Sequence, residues 1–176
     1  MTLVPDTTNF QTPKPVCQFI IDFLNIWDKS ITILEPTPGA GQFVSALRDA
    51  GFYDIDYPKG DFFNFRFSER SYDLIIGNPP FSPMSLGYDI TDRCFQHLPD
   101  HGSLVFILPW FFLINSDGRA EKYFPHLEAI IHLPRRTFPG ASVQTACFIL
   151  NKQKSLESPV ITMYSEKPKL SLEEFI

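Results

Sequence analysis

The sequence predicts an α/β domain built on a mostly parallel, doubly wound sheet that ends in an antiparallel hairpin. Three observations point there. Short apolar runs alternate with amphipathic helical stretches, the pattern of strands and helices layered on both faces of one sheet. The first apolar run leads into a glycine turn and then a helix, which is the opening unit of a nucleotide-binding sheet. Late in the chain, two apolar runs flank a loop containing proline and glycine, which reads as a hairpin. The 176 residues suit one domain, 1–176, with a real core. Residues 1–11 and 165–176 read as loose ends.

Taken in order, Thr12-Pro13-Lys14-Pro15 looks like a helix start with prolines in its first turn. Val16, Phe19, Ile20, Phe23 and Leu24 follow at helical spacing. Residues 31–34 read as a first buried strand, and 42–50 as a short amphipathic helix stopped by Gly51. Residues 52–57 form a short second strand ending in acids. Residues 71–77 form a buried strand ending at Gly77. A helix over 88–98 is broken by Pro99 to Gly102, and 103–108 is a strongly apolar strand. The aromatic run 109–113 reads as a continuation of that strand, serving as core or as a pocket wall. A polar-faced helix over 115–124, strands at 128–133 and 142–151, and a last edge strand at 159–164 complete the chain.

Composition narrows the function. Apolar content is 44%, ordinary for a water-soluble globular chain. The net charge of −5 argues against tight unaided binding to a polyanion, because phosphate contacts need Lys and Arg. The odd, widely spaced Cys17, Cys94 and Cys147 fit reduced thiols in a cytoplasmic protein better than a disulfide frame. No metal is expected, since His97, His101, His126 and His132 lack ligand spacing. No membrane span is expected either, for want of a long apolar run.

Two stretches carry chemistry. The first is Glu35-Pro36-Thr37-Pro38-Gly39-Ala40-Gly41, after the first strand. Gly39 and Gly41 let backbone approach a ligand closely. A carboxylate at the strand end, Glu35, suits a cationic ligand group. A phosphate-bearing ligand fits poorly, because the phosphate-binding lysine and the full dinucleotide glycine pattern are both missing. In dinucleotide folds an acid at the end of the second strand accepts ribose hydroxyls. Asp54 or Asp56 can serve here, and Asp56 stands nearer the strand's carboxyl end.

The second stretch is Asn78-Pro79-Pro80-Phe81. Two prolines cannot extend a strand ladder, so Asn78 is held at the strand end by a stiff loop. The Asn78 side-chain oxygen and the Pro79 carbonyl are adjacent acceptors. Aimed at the two hydrogens of an aromatic amine, they would draw electron density to its nitrogen. Phe81 can stack on a base, a contact worth roughly 1–3 kcal/mol. The plainer reading of the stretch is a turn between strand and helix.

Asn78-Pro79-Pro80-Phe81 resembles the catalytic motif of the amino-group methyltransferases that use S-adenosylmethionine on adenine N6, cytosine N4 or a glutamine side chain. Four further matches stand around it. The glycine loop with Glu35, Pro36, Gly39 and Gly41 resembles the cofactor loop. Phe10-Gln11-Thr12-Pro13 resembles the loop over the methionine end of the cofactor, which implies roles for Phe10 and Thr12. Phe138, in the loop 134–141, matches the aromatic that packs on an extruded base. Arg135 and Arg136 beside it can meet phosphates or form a solvated turn. Gly60-Asp61-Phe62-Phe63 resembles the adenine-contacting loop, which implies that Asp61 receives the amino group.

The matches cover roughly residues 9 to 152 and resemble the adenine-N6 DNA methyltransferases whose cofactor loop comes first. The resemblance implies a Rossmann-like methyltransferase fold, S-adenosylmethionine as cofactor, and an adenine flipped out of DNA as substrate. One departure stands out. The family has a helix and a strand between the ribose acid and the adenine acid, whereas five positions separate Asp56 from Asp61. The family also carries a separate target-recognition region, and none is expected here. With the acidic charge, this implies a recognition partner or a homo-oligomer. Methylation of adenine or guanine in structured RNA, a cofactor-binding subunit and a glutamine methyltransferase are the alternatives.

Overall fold

The computed structural model describes residues 11–67, 70–81, 84–113, 117–138, 141, 143–153 and 158–164. Among the described residues, four helices, α1 (Lys14–Leu24), α2 (Gln42–Asp49), α3 (Met84–His97) and α4 (Asp117–Tyr123), surround seven strands. The strands are β1 (Ile33–Leu34), β2 (Ile55–Asp56), β3 (Leu74–Gly77), β4 (Ser103–Pro109), β5 (Leu127–Leu133), β6 (Thr145–Asn151) and β7 (Val160–Met163). They form one sheet in the order β2-β1-β3-β4-β6-β5-β7. The run β2-β1-β3-β4 is parallel, β6 runs antiparallel to both β4 and β5, and β7 is parallel to β5. The expected doubly wound sheet with its hairpin is therefore what forms.

The apolar runs explain why both faces are covered. Along β4, Val105 and Ile107 point to one face and Leu104, Phe106 and Leu108 to the other, following the two-residue strand period. The first set packs with Val16, Cys17, Ile20 and Ile21 of α1 and Phe43, Ala46 and Leu47 of α2. The second packs with Ile90, Cys94 and Phe95 of α3 and Tyr123 at the end of α4. Strands buried on both faces read as continuous apolar runs, as β3 and β4 do.

Several boundaries differ from expectation. The aromatic run does not extend β4. The Trp110 N–H donates to Gln144 O at 2.8 Å as the ladder ends, and Trp110–Phe112 then turn as a 3₁₀ helix. That turn drops Phe112 into the core, its ring 5.5 Å from those of Tyr123 and Phe148. Helix α3 starts at Met84, four residues earlier than its spacing suggested. Between Asp56 and β3 the described residues contain a 3₁₀ turn at Phe62–Asn64, and no further strand joins that edge of the sheet. Arg93 of α3 pins this aromatic loop by donating to Phe63 O and Phe65 O at 3.0 and 2.8 Å.

Chain order reverses between β1 and β3. The chain steps from β1 outward to β2, then returns to β3 on the other side of β1. In open α/β sheets the crevice beyond the carboxyl ends of such strands is where ligands bind. No described helix is long and apolar enough to cross a membrane.

Candidate active site

A small pocket opens at that reversal. Gln11 and Thr12 line it from the segment before α1, Glu35, Thr37 and Gly39 from the turn after β1, and Asn78 from the end of β3. The turn is built by glycine. Gly39 and Gly41 have φ of 52° and 79°, values that side-chain-bearing residues avoid, and Gly41 hands the chain into α2. The Gln11 side chain lies across this turn, its Oε1 accepting the Ala40 N–H at 3.1 Å.

Glu35 is the unusual group. It is 2% exposed, and its Oε2 has no hydrogen-bond partner among the described residues; neither does the buried Thr37 Oγ1. Burial pushes the Glu35 carboxyl up to about 8, and a hydrogen bond from the Val44 N–H offsets this only in part. A buried acid lacking a cation is costly to ionise, so the position favours a ligand that brings a positive charge. The two unpaired oxygens in one cavity are the observation against which a cofactor can be tested. An amino-acid ammonium group next to Glu35 satisfies it; a phosphate next to Glu35 does not.

Asn78 stands where the sequence put it, after the last residue of β3. Its Nδ2 donates to Thr12 Oγ1 at 3.1 Å, which ties the end of β3 to the segment before α1 across 66 positions. Thr12 is 4% exposed. Pro36 and Pro79 are buried. Phe81 is half-buried and packs against both core clusters at the seam where they meet.

Asp54 before β2, Asp56 at its end and Asp61 after it are not part of the lining. Asp56 is next to Glu35, whose N–H donates to Asp56 O at 2.9 Å. Its carboxylate accepts the Tyr72 hydroxyl at 2.8 Å. Asp54 pairs with Arg70. Asp61 is exposed and caps its own turn, Oδ1 accepting the Phe63 N–H at 2.9 Å. Phe138 is 5% exposed and packs in the core cluster that contains α1, so in this conformation its ring faces the core. Arg135 and Arg136 are exposed on a 3₁₀ turn beside it. Phe10 lies outside the described residues. Gln11, Thr37, Tyr72 and Arg70 carried no separate signal in the sequence; the first two sit inside the recognised loops, and the others matter through contacts between distant segments.

The architecture matches known proteins over nearly its whole length. A modification subunit of a putative type I restriction enzyme from Vibrio vulnificus YJ016 superposes with a TM-score of 0.69, covering 94% of this chain and 49% of that one at 14% identity. A putative class I S-adenosylmethionine-dependent methyltransferase from Listeria monocytogenes gives 0.67 over 94% and 69%, at 16% identity. This is a methyltransferase fold. In sequence, the chain is 25% identical to the type II methyltransferase M.CvrRI of Paramecium bursaria Chlorella virus XZ-6E, over 82% of this chain and 48% of the relative. It is 24% identical to the type II methyltransferase M.HincII of Haemophilus influenzae, over 90% and 40%. The chain thus spans about half the length, or less, of the curated relatives it matches. The sequence matches no protein-family model.

Proposed function

We propose that this chain transfers a methyl group from S-adenosylmethionine to the N6 amine of an adenine flipped out of DNA. The observation that carries the reading is that one cavity joins Glu35, a buried acid lacking a cation, to Asn78 at the mouth of a stiff Pro-Pro loop. The named type II methyltransferases among the relatives support it. The three free thiols, all buried, fit a reducing cytoplasmic setting.

S-adenosylmethionine, when bound, supplies an electrophilic methyl on a sulfonium sulfur. Glu35 receives the amino-acid ammonium, Gly39 and Gly41 let the backbone close on the ligand, and Thr12 borders its methionine end. Asp56 accepts the ribose hydroxyls and Asp61 the adenine amine of the cofactor. Asn78 Oδ1 and the Pro79 carbonyl accept the two hydrogens of the target amine. Held this way, the amine's lone pair would be free to take the methyl as S-adenosylhomocysteine leaves as a thioether, and the surplus amine proton would pass to water. The chain contributes positioning and polarisation. Transfer is direct: burial pushes the Cys17 thiol up to about 12 and also raises Cys94 and Cys147, so no thiolate nucleophile is at hand.

Phe81, half-exposed beside Asn78, stacks on the base. Phe138 supports the pocket from the core or swings out to meet the base, and Arg135 and Arg136 meet phosphate. With a net charge of −5, the chain holds DNA through a recognition partner or a second copy.

The test is to incubate the protein with methyl-labelled cofactor and separate DNA, RNA and protein pools, beside an Asn78→Ala variant. Label is expected in DNA adenine, falling on the order of 10²–10³-fold in the variant, with S-adenosylhomocysteine affinity nearly unchanged. Label in RNA or protein alone would move the substrate class. Near-normal methylation by Asn78→Ala would remove the catalytic loop from the mechanism.

A further inference from the structure

Two acids near the edge of the sheet, Asp54 and Asp56, are candidates for the ribose hydroxyls, and their surroundings distinguish them. Asp54 lies before β2 and its carboxylate is taken by Arg70. Asp56 ends β2 and lies next to Glu35. One carboxylate oxygen of Asp56, Oδ2, accepts the Tyr72 hydroxyl at 2.8 Å and lies 4.0 Å from Arg70 Nη1. The Tyr72 ring is 2% exposed in the core under β3, so the hydroxyl is delivered from a fixed support. A carboxylate can only accept, so a hydrogen bond that occupies Oδ2 orients the group and leaves Oδ1 for a ligand donor. Asp56 has its side chain 44% exposed, which leaves room for that donor.

We infer that Tyr72, assisted by Arg70, is a positioning residue that fixes the Asp56 carboxylate as the acceptor of the cofactor ribose, and that Asp54 serves only to hold Arg70. The inference rests on the cofactor reading above. It also gives a physical account of the short β2 edge: among the described residues no α-helix or further strand lies between β2 and β3, and a tyrosine and an arginine from the segment entering β3 brace the acid instead. A hydrogen bond of this kind acts by reducing the freedom the carboxylate would otherwise lose on binding.

The experiment is calorimetric titration with S-adenosylhomocysteine and with its 2′-deoxy and 3′-deoxy ribose analogues. Wild type should lose about 10-fold or more in affinity when the hydroxyl bonded to Asp56 is removed, as expected for a hydrogen bond to a charged group. Tyr72→Phe keeps the buried ring and removes only the hydroxyl. It should bind S-adenosylhomocysteine about 3- to 10-fold more weakly, and its penalty for the deoxy analogue should shrink by the same factor. That non-additivity is what a merely structural tyrosine would not produce. Arg70→Gln, at an exposed position, should show the same coupling to a smaller degree, and it decides the matter if Tyr72→Phe does not fold. Unchanged affinity, or losses that simply multiply, would overturn the inference. So would loss of ribose discrimination in Asp54→Asn but not in Asp56→Asn. Failure of the wild type itself to bind at millimolar ligand would instead overturn the cofactor reading, and this inference with it.

Discussion

Replacing Glu35 with glutamine isolates the buried acid of the pocket. The carboxyl is 2% exposed and raised from an ordinary 4.5 to about 8, with burial as the main cause. Its folded-state pKa lies above its unfolded value. Between those two values the unfolded chain ionises Glu35 while the folded chain keeps it protonated. Stability from this group is therefore fully present below pH 4.5, falls as pH rises, and levels off above about pH 8. Each pH unit across that interval is worth about 1.4 kcal/mol, which caps the loss at about 5 kcal/mol. Water entering the pocket beside Glu35 solvates the ionised form and brings the realised value below that cap. Glutamine has nearly the same shape and cannot ionise. Denaturant unfolding of wild type and Glu35→Gln from pH 5 to pH 9 should give a wild-type stability that drops relative to the variant by a few kcal/mol, with the other titrating groups cancelling in the difference. A difference that stays flat across this range would refute the burial argument. The same physics makes ligand binding pH-linked. An ammonium group beside Glu35 favours its ionised form, so binding near pH 7 should release about one proton, measured by calorimetry in buffers of differing ionisation enthalpy.

Two further substitutions probe the packing around the site. In Gly87→Ala the new methyl would sit 2.8 Å from Pro80 O and 3.6 Å from Phe81 Cδ1. Backbone cannot swing aside, so the expected result is a loss of roughly 1–3 kcal/mol in thermal or denaturant unfolding, despite the better helix propensity of alanine. Phe138→Ala should cost about 3–5 kcal/mol, because its ring is 5% exposed among the residues packed on α1. A Phe138→Ala variant with wild-type stability would mean that the ring spends its time out of the core, as a base-stacking residue must when it works.

The parts of the fold that were legible in the sequence are those with local causes. A buried strand such as β4 announces itself because both its faces are covered, leaving a continuous apolar run at 104–108. The turn Glu35 to Gly41 announces itself because a tight approach requires Gly at fixed positions. The aromatic run after β4 reads as strand in the sequence because burial alone carries no period: Phe112 is buried whether the chain extends or turns, and in the turn its ring meets those of Tyr123 and Phe148. The parallel pairing of β7 with β5 was likewise invisible, since strand direction is fixed by the path of the chain and not by the residues of either strand.

The site follows the same division. Its loops were readable, but its working contacts link segments far apart in sequence: Asn78 to Thr12, Tyr72 to Asp56, and Phe138 to the packing of α1. These contacts give the two acids along the sheet edge different characters. Glu35 is buried and uncompensated, and so selects for positive charge. Asp56 is half-exposed, with one oxygen already held by Tyr72 and Arg70, and so selects for a hydroxyl donor. They lie on adjacent strand ends joined by the Glu35 N–H to Asp56 O bond, so in the proposed reading one ligand brings its cation to Glu35 and a hydroxyl to Asp56. A nucleotide phosphate in that interval would face two carboxylates with no lysine or arginine supplied by the glycine turn. In the proposed reading, a preference for a sulfonium nucleoside over a nucleotide comes from what surrounds the acids, a property that neither acid carries by its identity alone.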